Sequence, residues 1–332
     1  MPIAPDASAL PVHPLLNIAV RAAREAGKVI VRDIDRVDTL DVSAKGHNDF
    51  VSEVDRRAEH AIISTIRRSY PDHAVLGEES GADGTSDHVW VIDPLDGTTN
   101  YLHGFPVFCV SIAVKYRGKI EQGVVYDPLR NELFTATRGR GAQLNDRRIR
   151  VSRRTGLEGA LLGTGFPYRD LSQLDEYLAV FRELITRTAG IRRPGSAALD
   201  LAYVAAGRMD GFWECGLKEW DVAAGTLLIQ EAGGTVTDFH GGEDYLATGD
   251  IVGGNLRVHG AILEVVRRLG ARPSVVAGAE TESVVSASPA SEGNAEEAAA
   301  GAAGEQPRAR KRPGILHKPA KAAKAASKPE GA

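Results

Sequence analysis

The chain has 332 residues, 43% of them hydrophobic, with 40 basic and 44 acidic side chains and a formal net charge of −4. That length and apolar content support one large core or two closely joined ones, and such a charge balance excludes binding to nucleic acid through net charge alone. Two cysteines, Cys109 and Cys215, exclude a disulfide framework and fit a reducing compartment. The chain has no run of 18 apolar residues, and Met1 to Pro14 lacks the pattern of a signal peptide, so the expected address is the cytoplasm, without a membrane span.

In chain order, residues 1–13 read as a flexible N-terminus. Apolar residues at Leu15, Ile18, Ala19, Ala22, Ala26, Val29 and Ile30 recur with a helical period, which predicts an amphipathic helix from Leu15 to Arg32. A second helix is predicted from Ser52 to Ser69, opened by the capping box Ser52-x-x-Asp55 and ended by Tyr70-Pro71. Ala74 to Leu76 reads as a short buried strand, then strands follow at Val89 to Ile92, Phe108 to Tyr116, Lys119 to Tyr126, Glu132 to Thr137 and Ala142 to Leu144. Beyond a junction near residues 150–160 come helices from Leu171 to Ala189 and Ala197 to Ala206 and a strand from Gly211 to Glu214. An apolar helix opened by Asp221 follows, then strands from Gly234 to Asp238 and Ile251 to Gly254, and a last helix from Gly260 to Leu269. Two sheets with helices before, between and after them predict a layered α+β architecture.

The chemistry concentrates at three acidic sites. Trp90-Val91-Ile92-Asp93-Pro94-Leu95-Asp96-Gly97-Thr98-Thr99-Asn100 carries an apolar strand to Pro94, expected to stop it, and places two carboxylates across the turn that follows. Paired carboxylates repel, and a hard divalent cation such as Mg²⁺ relieves that repulsion while keeping positions for water or phosphate oxygens. Gly97 and Thr98 offer backbone N–H groups to such a phosphate. Gly77-Glu78-Glu79-Ser80 mounts glutamates at a strand end, and Glu219-Trp220-Asp221 puts a carboxylate at a helix start. Taken singly, these strings also describe an Asp-Pro turn, a solvated loop and an N-cap.

Together the pieces resemble the inositol monophosphatase superfamily of Mg²⁺-dependent phosphatases, over about Pro14 to Leu269. The matching motifs are Asp49-Phe50-Val51-Ser52-Glu53-Val54-Asp55, Gly77-Glu78-Glu79-Ser80, the Asp93 to Asn100 segment and Trp220-Asp221-Val222-Ala223-Ala224-Gly225. The stretches Val125 to Gly139 and Gly195 to Arg208 are similar to the bacterial SuhB-type branch. The resemblance implies the α-β-α-β-α sandwich of the inositol monophosphatase and fructose-1,6-bisphosphatase type. It implies one catalytic domain over residues 14–271, made of two sub-domains, with an Ala/Lys/Pro-rich tail from 272 to 332 that composition marks as disordered.

The resemblance also implies roles. Glu78, Asp93 and the Leu95 carbonyl hold the Mg²⁺ that activates the attacking water, and Asp93, Asp96 and Asp221 hold a second beside the leaving group, with a third near Glu78 in some relatives. Thr98, hydrogen-bonded to Asp55, orients or deprotonates the water; Gly97 and Thr98 bind phosphate; and Lys45, in the Ala44-Lys45-Gly46 loop, is a further electrostatic candidate. Glu214, Asp96 and the backbone at Ser196 and Ala197 line the pocket for polyol hydroxyls. The implied activity is hydrolysis of myo-inositol 1-phosphate and related polyol phosphates by an inositol-phosphate phosphatase, sensitive to lithium and dimeric. Fructose 1,6-bisphosphate or adenosine 3',5'-bisphosphate hydrolysis on the same core is an alternative, which Arg192 and Arg193 do not favour. SuhB-type proteins also partner the transcription machinery in ribosomal RNA antitermination. A contact to RNA through the eight basic residues from Arg308 to Lys328 stays open beside a merely solvated tail. Without residues 272–332 the chain holds 31 basic and 37 acidic residues.

Overall fold

The computed structural model describes residues 13–39, 42–46, 49–168 and 171–269; the predicted tail and most of the N-terminal segment lie outside them. Helix α1 (Pro14–Asp33) leads through a 3₁₀ turn to a hairpin of β1 (Val42–Gly46) and β2 (Asp49–Ser52), then helix α2 (Glu53–Arg67). Strands β3 (Ala74–Gly77), β4 (Gly81–Asp83) and β5 (His88–Asp96) precede the one-turn helix α3 (Thr98–Leu102). A meander follows, comprising β6 (Cys109–Tyr116), β7 (Lys119–Asp127), β8 (Glu132–Thr137), β9 (Gly141–Leu144) and β10 (Arg147–Arg148). The second half contains β11 (Leu161–Thr164), α4 (Leu174–Arg187), β12 (Gly190–Arg192), α5 (Ala197–Ala205), β13 (Gly211–Glu214) and α6 (Glu219–Glu231). It ends with β14 (Thr235–Thr237), α7 (Tyr245–Thr248), β15 (Ile251–Gly254) and α8 (Leu256–Leu269).

Eight strands pair in the order β10-β9-β8-β7-β6-β5-β3-β4, and five in the order β12-β11-β13-β15-β14. In the larger sheet β3 runs parallel to β5 while the meander is antiparallel. Its central strands, β5 to β8, are buried on both faces, so alternate residues serve different cores. Trp90, Ile92, Ile112 and Val124 pack under α1 and α2 against Ala19, Ala22, Ile30, Ala58 and Ile62. Val91, Ala113 and Phe134 face the other way, against α5 and α6, whose Leu201, Leu227 and Ile229 also meet Phe212 and Ile251 of the smaller sheet. On that sheet's far side, Leu184 of α4 and Ile262 and Val266 of α8 cover Trp213 and Val252. The result is five layers, α-β-α-β-α. Helix α1 has one apolar stripe because one side faces solvent, whereas α6, held between two sheets, buries an unbroken run from Asp221 to Ile229.

Several boundaries differ from the sequence expectation. Pro94 does not stop β5; the strand continues to Asp96 through a bulge, with Asp93 opposite Ser111 and Asp96 opposite Cys109. An irregular step tolerates proline because no ladder N–H is required there. Lys45 falls on strand β1 rather than in a loop, and its side chain lies outside the described residues. Asp221 is the third residue of α6 rather than its cap. Helix α8 starts at Leu256, four residues earlier than expected, because Asn255 Oδ1 accepts the N–H groups of Arg257 and Val258 at 3.0 and 3.1 Å.

Candidate active site

The parallel pairing of β3 with β5 brings the first two acidic motifs together. Gly77 lies opposite Ile92, and the N–H of Glu78 donates to the Ile92 carbonyl at 3.1 Å, so Glu78 leaves its strand beside Asp93. The turn is held from below by buried Glu59, whose Oε2 accepts the Glu79 N–H at 2.9 Å. Asp93 in turn accepts the Leu95 N–H at 3.0 Å, which folds the bulge back on itself and carries Asp96 to the same strand end.

Asp221 arrives from the other half through β6. Ser111, the cross-strand partner of Asp93, donates its hydroxyl to the Trp220 carbonyl at 3.2 Å, and Lys115 pairs with Glu219 at 2.5 Å. Those contacts fix the start of α6, where Asp221 accepts the Lys218 N–H at 2.7 Å. One carboxylate oxygen from each of Asp93, Asp96 and Asp221 then lies within 4.8 Å of the others. Burial, followed by the charges of Glu78, Asp96 and Asp221, pushes the Asp93 carboxyl well above its ordinary pKa. Burial also raises Asp96, to about 6, against hydrogen bonds from Ser196 and Ala198 that pull it down. Asp96 keeps part of its residue surface open to the cleft, but its carboxylate is enclosed by the Ser196 hydroxyl at 2.7 Å, the Ala198 N–H at 2.8 Å and the Cys109 thiol at 3.8 Å. The Cys109 thiol is itself raised well above its usual pKa by burial and so stays neutral. An all-oxygen donor set of this charge suits a hard cation such as Mg²⁺ rather than one that selects thiolate or imidazole.

Next to the cluster, Gly97 takes the left-handed conformation at φ +97°, and a side chain there would strike the Val107 carbonyl. That turn presents Thr98, whose hydroxyl lies 2.9 Å from Asp55 Oδ1 and 3.1 Å from the Leu95 carbonyl. Asp55 is wholly buried and does two things. Its Oδ2 accepts the Ser52 N–H and hydroxyl at 2.8 and 2.5 Å, completing the capping box of α2, while Oδ1 serves Thr98. Burial raises the Asp55 carboxyl, partly offset by the hydrogen bonds from Ser52 and Thr98.

Thr98, Gly97 and the acidic cluster line one open cleft, together with Ser196, Ala197 and Glu214. Asn100 stitches its two sides by donating to the Val107 and Pro194 carbonyls, each at 2.8 Å. Glu214, at the end of β13, lies so close to Gly165 that any side chain at position 165 would occupy the place of its carboxylate. Every predicted site residue whose side chain is described lines this cleft or, like Asp55, is hydrogen-bonded to a residue that does; the Lys45 side chain lies outside the described residues.

One acidic cleft residue escaped sequence reasoning, and Arg193, weighed there only as a charge for a bisphosphate, also belongs to the cleft. Asp200 is buried and lines the cleft, its Oδ1 has no hydrogen-bond partner, and burial plus the charge of Glu214 raises it well above its usual pKa. A lone acid within the apolar run of α5 was the available signal. Arg193 enters the same cleft, its guanidinium 5.3 and 5.0 Å from the ring centres of Phe166 and Tyr168.

A model of the inositol monophosphatase family matches residues 12–271. The chain belongs to the inositol monophosphatase family. A Pseudomonas aeruginosa protein named Nus factor SuhB is 58% identical over 262 residues, spanning 77% of this chain and 97% of its own length. Extragenic suppressor protein suhB from Bartonella henselae has a crystal structure that superposes with a TM-score of 0.75 at 48% identity, over 77% of this chain and 99% of that one. The structure of inositol monophosphatase from Anabaena superposes at 0.67 with 40% identity, over 80% and 98%. The five layers are thus the layers of the inositol monophosphatase fold. Among the described residues, no helix is long and apolar enough to cross a membrane.

Proposed function

We propose that the cleft hydrolyses phosphate monoesters of small polyols, with myo-inositol 1-phosphate as the leading substrate and Mg²⁺ as the cofactor. The observation that carries this reading is the convergence of Asp93, Asp96 and Asp221 within 4.8 Å beside the Thr98–Asp55 hydrogen bond. Glu78, Asp93, Asp96, Asp221 and the Leu95 carbonyl are the groups that would hold the metal. When bound, Mg²⁺ lowers the pKa of the attacking water and stabilises the departing alkoxide.

The chain's own residues supply the rest. Thr98 gives its hydroxyl proton to Asp55, so a lone pair of Oγ1 accepts a hydrogen bond from the nucleophilic water and aims it at phosphorus. Asp55, with its raised pKa, is suited to take the released proton through that hydroxyl. The N–H groups of Gly97 and Thr98 meet the phosphate oxygens. Across the cleft, Glu214 accepts hydrogen bonds from substrate hydroxyls, and the backbone at Ser196 and Ala197 forms the wall beside them. The Ser196 side chain is committed to Asp96.

Phosphate release from myo-inositol 1-phosphate, fructose 1,6-bisphosphate and adenosine 3',5'-bisphosphate, with and without Mg²⁺, tests the reading. Mg²⁺-dependent preference for the first is expected. Preference for a bisphosphate would replace the substrate, and no turnover on any would remove the catalytic reading.

The name Nus factor, carried by a relative 58% identical, favours a second role as a partner of the transcription machinery. Co-purification of core transcription components with the tagged chain, retained in an Asp93→Asn variant, would establish that role apart from catalysis; their absence would dismiss it.

A further inference from the structure

Between Arg138 and Arg154 the chain places seven arginines and one acid, Asp146, in a body that is otherwise mildly acidic. All seven arginines are exposed. They follow the last hairpin of the larger sheet and the segment leaving it, and β10 is the terminal strand of that sheet. Arg138 is paired with Glu121 at 3.4 Å and Arg154 with Asp210 at 3.3 Å. Arg147, Arg148, Arg150 and Arg153 have no carboxylate partner among the described residues. The Arg148 side chain lies along the hairpin over Gly141, where an added Cβ would sit 3.2 Å from its Nε.

We propose that this arginine strip binds the phosphate backbone of a nucleic-acid strand. Charged residues on an edge strand also guard against sheet-to-sheet pairing, but one or two suffice for that, and here the run continues through Arg150 and Arg153 beyond the strand. Guanidinium groups present paired donors that match phosphate oxygens, and the segment contains no lysine at all. The strip occupies a hairpin edge and a loop, with no helix to enter a groove, so the contact is to the backbone and tolerant of sequence. An acidic protein segment would present fewer charges per unit length than a polyphosphate strand. Strand β10 lies five strands from β5, about 24 Å at the usual inter-strand spacing, so the surface is separate from the cleft and independent of the phosphatase reading.

The test is fluorescence anisotropy of a labelled, mixed-sequence single-stranded RNA against the full chain, across a series of salt concentrations. A fourfold variant carrying Arg147→Gln, Arg148→Gln, Arg150→Gln and Arg153→Gln should bind at least about tenfold more weakly near physiological salt. Its log–log salt slope should be shallower by roughly 3, at about 0.7 per lost phosphate contact on a single strand. Made in a full-length chain whose basic residues from Arg308 to Lys328 are already glutamine, the fourfold change should cause the same further loss, which separates the strip from the tail. Arg153→Glu alone, off the strand, should weaken binding in the same direction if the fourfold variant folds poorly. RNA affinity and slope unaffected by these changes, or no RNA binding by the unaltered chain, would overturn the proposal. So would loss of binding to a polyglutamate peptide with RNA binding intact, which would assign the strip to an acidic protein.

Discussion

The N–H of Ala198 donates to Asp96 Oδ2 at 2.8 Å, so a carboxylate from the end of β5 caps the first turn of α5 in the other half of the chain. Ser196 stands at the usual cap position, yet its own side chain caps nothing and donates instead to the same Asp96 oxygen. One residue therefore joins the two halves and belongs to the acidic cluster.

That double duty separates two substitutions. Asp96→Asn removes the charge but keeps an acceptor for Ala198, and should lose about a hundredfold or more in turnover while keeping the cap, so it is the reference against which the alanine variant is read. Asp96→Ala should lose turnover equally and also the cap, worth about 1 kcal/mol, or roughly 2–4 °C in a domain of this size. Thermal melts of both proteins decide the matter, and equal melting temperatures would mean that the cap contributes nothing.

Thr98 offers a sharper probe of the water-orienting role. Thr98→Ser keeps the hydroxyl 2.9 Å from Asp55 and should retain most of kcat, whereas Thr98→Val should lose about 10²–10⁴-fold with KM little changed. A valine variant with the serine variant's rate would remove Thr98 from the chemistry. Asp55→Asn is a poorer test, because Asp55 also completes the capping box of α2.

The acidic cluster predicts how stability responds to pH and metal. Asp96 has a folded pKa of about 6 against an ordinary 3.8, so between those values the folded chain holds a proton that the unfolded chain has released. Stability of the metal-free protein should therefore be highest below that window and fall as pH rises through it. The cost, roughly 3 kcal/mol for the full shift, then stays in place at neutral pH. Asp93 is raised by the same causes and acts with the same sign. Added Mg²⁺ should raise the melting temperature clearly at pH 7.5 and much less at pH 5, and Asp93→Asn should blunt both effects. A melting temperature indifferent to Mg²⁺ at pH 7.5 would count against a metal at this cluster.

Much of the fold was legible because its strands sit between strong turn signals. Glu132 to Thr137, Gly211 to Glu214 and Ile251 to Gly254 coincide with the strands found. Short elements were not legible, since Thr98–Leu102 and Gly190–Arg192 span too few residues for any period to register. The bulge at Pro94 was misread because a proline looks alike at a strand's end and at an irregular step within it. Residue types alone nominated Asp93 and Asp96 as a pair, but nothing in their spacing brings Glu78 or Asp221 to them. The parallel register of β3 with β5 and the Ser111–Trp220 hydrogen bond do so, and strand pairing is not encoded in local pattern. Glu214 and Asp200 likewise come together from a strand and a helix through packing alone.

Glu214 is where substrate preference should be altered without loss of chemistry. Its carboxylate stands at the end of β13 against Gly165, on the cleft wall that Asp200 also lines. It is not one of the three carboxylates that converge within 4.8 Å. Glu214→Ala should therefore raise KM for myo-inositol 1-phosphate by about tenfold or more, as expected for a lost hydrogen bond to a charged group, while sparing hydrolysis of a generic aryl phosphate. Parallel kinetics on the two substrates read the difference. Equal loss on both would move Glu214 from hydroxyl recognition into the hydrolytic machinery. Equal retention on both would leave the polyol preference to be carried by other residues of the cleft, with Asp200 the next to change.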